Sequence, residues 1–178
     1  MNNNQMDAAL KLAKIMNYRK HAEMLDIPLL NGFEVKKSDV PSVILLATNN
    51  GIMEQLVSDG TIDESFEERI KLVISNTKDF MKKTGCQNID DSFIYYKDYS
   101  NGVFDYKLYF CDIVKDNKVV RQINAYFIEP ESRYFYEIIL AAPPIDKIDV
   151  NDNITKNILQ RLKVILNNIK YNDDRPIK

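Results

Sequence analysis

At 178 residues, 45% hydrophobic and 28% charged, the chain has the size and make-up of one globular domain, which excludes a disordered or low-complexity protein. The net charge of −2 is uneven: +1 over residues 1–50, −6 over 51–150 and +3 over 151–178. An acidic middle repels a phosphate backbone, which argues against a nucleic-acid partner.

Asp7 to about Met24 reads as a helix, because Ala9, Leu10, Ala13, Met16 and Met24 recur near helical spacing. In "DIPLLNGFEV", Pro28 and the Asn31-Gly32 pair predict a turn into a short extended piece. Val43 to Leu46 is a β-rich run, which Asn49-Asn50-Gly51 is expected to stop. A second helix follows, with Thr61 and Glu64 as its capping box and acidic side chains crowding its first turns. Phe66, Ile70, Val73, Ile74, Thr77 and Phe80 or Met81 form its apolar stripe, and Gly85 is its C-cap.

From residue 92 the period changes to two, and strands are predicted at 92–98, 103–113, 119–128 and 133–141. Their separators are short and rich in turn formers, as in an antiparallel meander. Pro143-Pro144 ends the sheet, and a last helix runs from about Asn151 to Lys170. The order α-β-α-β-β-β-β-α is an α+β pattern, a sheet packed against helices. It forms one domain over 1–178, with residues 1–25 as a peripheral helix.

The residues that carry chemistry are sparse. His21 is the sole histidine and is expected on an exposed helix face; no glycine-flanked serine elbow is present. Cys86 and Cys111 are too far apart for a zinc knuckle and read as reduced thiols. "DVNDNITKNILQ" alternates Asp149, Asn151 and Asn153 like a calcium loop, but Ile154 and Gln160 replace its glycine and glutamate, so these residues are read as helix caps. Phosphate-loop and dinucleotide fingerprints are absent. No catalytic residue, metal ligand or cofactor is therefore expected, and the chain is read as not an enzyme. The first residues lack the apolar core of a signal peptide, and no run approaches the roughly 20 apolar residues of a span. The expected location is cytoplasmic, without membrane contact.

Alternation puts Phe104, Tyr106, Leu108 and Phe110 on one sheet face and Asp105, Lys107, Tyr109 and Cys111 on the other, with Gln122, Asn124 and Tyr126 beside the second set. If helices cover only the apolar face, Lys107, Tyr109, Asn124 and Tyr126 form an uncovered protein-interaction face.

The element order and the "IPLLNGF" entry resemble the PsbP-like α/β/α sandwich over about residues 25 to 170. That family includes photosystem extrinsic subunits, a Ran-binding nuclear import factor and bacterial DcrB-like proteins. The resemblance implies a binding or assembly protein without chemistry of its own; the lipobox of the bacterial lipoprotein members is absent here. An NTF2-like cone is the alternative, with Tyr and Glu137 or Asp105 lining a small-molecule pocket. The leading expectation is an accessory or immunity-type protein whose partner is another protein. Self-association through a sheet face or edge is the third reading.

Overall fold

A computed structural model describes residues 2–172, apart from the side chains of Ile15, Tyr18 and Arg19. In chain order the elements are α1 (Asn3–Ala22), β1 (Leu25–Asp26), β2 (Glu34–Val35), β3 (Val43–Asn49), β4 (Ile52–Thr61), α2 (Phe66–Lys83), β5 (Phe93–Ser100), β6 (Asp105–Lys115), β7 (Lys118–Ile128), β8 (Tyr134–Ala141), β9 (Ile145–Asp146), α3 (Asp152–Asn168) and β10 (Lys170–Tyr171). The main sheet is antiparallel in the order β2-β3-β4-β8-β7-β6-β5, and β9 adds to β7. β1 and β10 form a separate two-stranded ladder, Leu25 opposite Tyr171.

The α+β class and the meander from β5 to β8 follow the sequence pattern, but the region before α2 differs. Asn49-Asn50-Gly51 does end β3, at Asn49, but by turning a hairpin into β4, a strand that the sequence pattern did not predict. Asn50 (φ 51°) and Gly51 (φ 82°) are both left-handed, as a two-residue hairpin turn requires, and Asn49 pairs with Ile52. Thr61 then belongs to β4, opposite Tyr134, and cannot cap a helix. The N-cap is Ser65, whose hydroxyl accepts from Glu68 N at 3.2 Å.

Helices cover both faces. α3 buries Ile158, Leu162, Ile165 and Leu166 against Leu108, Ile123, Phe127 and Ile138. Each such side chain contributes about 1.5–3 kcal/mol. The end of α1 joins this layer through Ala22 and lies along β4. On the opposite face α2 packs Phe66, Ile70, Val73 and Ile74 on Tyr126 and Phe135, while Met81 covers Cys111 and Ile89. Of the alternatives Phe80 and Met81, burial selects Met81; Phe80 is exposed. The result is a three-layered sandwich, not a sheet covered on one side.

Candidate interaction surface

The expected uncovered face is covered by α2. Asn124 and Tyr126 are 1% and 0% exposed, so neither can touch a partner while α2 is in place. Their polarity is satisfied internally instead: Gln122 Nε2 donates to Asn124 Oδ1 at 2.9 Å, and Asn124 Nδ2 donates to Glu137 Oε1 at 2.8 Å. Burial first, and the nearby Asp59 second, push the Glu137 carboxyl up to about 7. Burial also raises Asp59, against the pull of Arg69. Asp59 sits where the β4 register shifts beside β8, between Ser58 and Gly60.

Tyr109 and Lys107 are half-buried and lead outward from this layer. Tyr126 meets Tyr109 edge-on at 5.6 Å between ring centroids, and Tyr109 meets Tyr95 of β5 at 5.5 Å. Going inward, Tyr126 stacks on Phe135 at 5.9 Å, and Phe135 meets Phe66 of α2. An aromatic row thus runs from beneath α2 to the sheet edge. Lys107 pairs with Asp98 at 3.1 Å, a contact that raises the lysine; the hydrogen bond from Tyr95 first, and Lys107 second, lower the aspartate. Asp98 also accepts from Tyr95 OH at 2.7 Å.

The row ends in solvent at β5. Among the described residues this strand pairs with β6 alone, so its outer edge is free. Ile94, Tyr95 and Tyr96 are 61%, 50% and 39% exposed there. The register shifts between Tyr95 and Lys97, and the Lys97 ammonium lies 5.3 Å from the Tyr96 ring centre and 5.8 Å from that of Tyr99. A bulge and a lysine are devices that keep an edge from adding strands without limit, so contact through side chains is favoured over plain strand addition. At the end of β5 a cleft of about 480 Å³ opens among Phe66, Glu67, Asp98, Tyr99, Asp105 and Tyr106. Of the two carboxylates named for a small-molecule pocket, Asp105 lines this cleft, whereas Glu137 is buried under α2.

No protein-family model matches the chain, and no curated protein sequence does. Among solved structures it is similar to the crystal structure of LpqN, involved in cell envelope biogenesis of Mycobacterium tuberculosis. That chain is 13% identical, 82% of each chain is covered, and the TM-score is 0.48. The likeness carries nothing about activity.

His21 is a further residue that the sequence placed wrongly, half-buried rather than exposed. It is stacked on Tyr134 at 3.6 Å between ring centres and donates from Nε2 to Glu129. Its partner lies 108 positions away, a distance that no local signal bridges. Glu129 also accepts from the hydroxyls of Ser132, Tyr136 and Tyr171, and is almost fully buried. This cluster joins the end of α1, β8 and β10, and reads as a clasp. Of the three residues read as helix caps, Asn151 is the N-cap of α3, its Oδ1 accepting from Asn153 N at 3.0 Å; Asp149 lies in the turn before the helix and Asn153 in its first turn. Among the described residues no group of three or more His, Cys, Asp or Glu could hold a metal. No helix of the described residues is long and apolar enough to cross a membrane.

Proposed function

We propose that this chain is a non-enzymatic accessory protein that docks another protein on the β5 edge. The observation that carries the reading is the run Ile94-Tyr95-Tyr96, three large exposed side chains on a strand whose outer edge is unpaired among the described residues. Tyrosines that are anchored at one side and wet at the other make strong contacts at low entropic cost. Tyr95 is held by Tyr109 and Asp98, and Tyr96 by Phe110 at 4.6 Å, so both are already positioned. The neighbouring cleft offers a recess for a partner side chain. The resemblance to the PsbP-like sandwich, whose members act mainly in binding and assembly, supports an assembly or immunity-type role.

The test is site-specific photo-crosslinking in native lysate. A benzoylphenylalanine at Ile94 or Tyr96 is expected to give one discrete heterologous adduct, and the same group at Val35 on the opposite edge is not. Equal labelling from both edges, or none from β5, would refute the reading. An adduct of twice the chain's own mass would assign the edge to self-association instead.

A further inference from the structure

The cleft at the end of β5 has fixed walls and an unbalanced charge. Its volume of about 480 Å³ is that of a ligand-sized recess. Three aromatic rings wall it, and each is tied to the body of the fold. Tyr99 donates through its hydroxyl to Asn167 of α3, Tyr106 donates to Leu166 O at 3.4 Å, and Phe66 meets Phe135 edge-on at 5.9 Å. Glu67, Asp98 and Asp105 line the same space against a single ammonium, that of Lys107. Lys107 is committed to Asp98, which leaves Glu67 and Asp105 without an ion-pair partner among the described residues. Lys97, the one lysine of β5, does not line the cleft; its ammonium lies over the Tyr96 and Tyr99 rings. The positive end of α2 is near, but it amounts to about half a charge, which Glu67 and Glu68 in the first turn exceed.

We propose that the partner docked on the β5 edge inserts an arginine side chain into this cleft, its guanidinium against the aromatic wall and bonded to Glu67 and Asp105. The inference rests on the docking reading above and names the chemistry of the partner. Charge selects a basic side chain, because residues 51–150, which supply every lining residue, carry a net −6. The aromatic wall selects arginine over lysine. A planar guanidinium stacks on a ring while its separate N–H groups reach two carboxylates, whereas an ammonium is a compact, strongly hydrated point charge. Continuity selects a protein over a free cation. Asp98 lines the cleft and also accepts from Tyr95 OH at 2.7 Å, so the recess and the exposed run Ile94-Tyr95-Tyr96 form one surface. A segment lying along β5 then sets apolar side chains on that run and its arginine in the recess, an anchor of the kind that dominates interface energetics.

The probe is N-acetylarginine amide, titrated into the isotope-labelled full chain and followed by NMR, with N-acetylcitrulline amide, its uncharged isostere, as the control. Saturable shifts confined to the amides of Glu67, Ser100, Asp105 and Lys107 are the expected result, from the arginine probe alone. Glu67→Gln with Asp105→Asn should abolish them. The same pair of substitutions should cut about tenfold the yield of the heterologous adduct that benzoylphenylalanine at Ile94 gives in lysate, and added salt should lower it too. Both positions are exposed, and circular dichroism checks that the double variant stays folded. Equal shifts from the citrulline probe, or none from arginine, overturn the proposal. So does an adduct whose yield the double variant leaves unchanged, although docking on β5 then stands. Arginine shifts without any adduct from the parent refute docking itself, and with it the partner named here, and assign the cleft to a small cation.

Discussion

His21 Nε2 lies 2.9 Å from Glu129 Oε1 and 3.0 Å from Oε2, so one imidazole spans both oxygens of a carboxylate that three hydroxyls also address. Truncating His21 removes one donor and leaves the others in place. Truncating Glu129 removes the shared acceptor of four groups at once. Glu129→Leu should therefore cost about 3–5 kcal/mol, and His21→Ala only about 1–3 kcal/mol. Urea denaturation of the two variants compares them; equal losses would mean that the hydroxyls find other partners.

Glu54 stands against the apolar layer of the opposite face, between Ala47 of β3 and Leu140 of β8, and neither of its oxygens has a hydrogen-bond partner among the described residues. Burial pushes its carboxyl from 4.5 up to about 7. A carboxyl raised in the folded state stabilises the fold fully below its unfolded value, and that contribution is lost as pH rises through 7. The interval corresponds to roughly 3 kcal/mol. Glu54→Gln should therefore be less sensitive than the parent between pH 5 and 8. Glu137, also pushed up to about 7, contributes the same trend and should leave a residual slope in that variant. A melting temperature for Glu54→Gln that falls as steeply as the parent's would contradict this.

Asn101 joins the β5–β6 turn to the end of α3. Its Oδ1 accepts from Val103 N and Phe104 N at 2.8 Å each, and its Nδ2 donates to Leu166 O at 2.7 Å and Ile169 O at 2.9 Å. Asn101→Ala should cost about 2–4 kcal/mol, more than a typical turn residue, because it leaves backbone groups of two elements without partners. Hydrogen exchange should show the Val103 and Phe104 amides losing protection first.

Cys111 is fully buried under Met81, and burial pushes its thiol up to about 12. Cys86 is partly exposed. Iodoacetamide at neutral pH should modify Cys86 and spare Cys111 until the chain unfolds. Two equivalents of rapid labelling in the folded protein would mean that α2 opens readily.

Local pattern determined the meander of this protein. β5 to β8 alternate cleanly between turn-forming separators, and α2 and α3 each carry an apolar stripe that ends at a cap, so these elements can be read residue by residue. β4 escaped because its buried parity reads Ile52, Glu54, Leu56, Ser58, Gly60: polar or small residues at core positions erase the period-two signal. Tertiary structure alone decided what covers each face. Asn124 and Tyr126 look outward-facing because they are polar, but α2 folds over them and their hydrogen bonds close on Glu137 and one another. Hydrophobic alternation says which side chains share a face; it does not say which helix lands on that face. It is equally silent on pairings such as His21 with Glu129, which exist only once distant segments have been brought together. The aromatic stretch that opens at Phe93 was legible as sheet. Its solvent-facing end at Ile94, Tyr95 and Tyr96 was set by the strand order, which leaves β5 last.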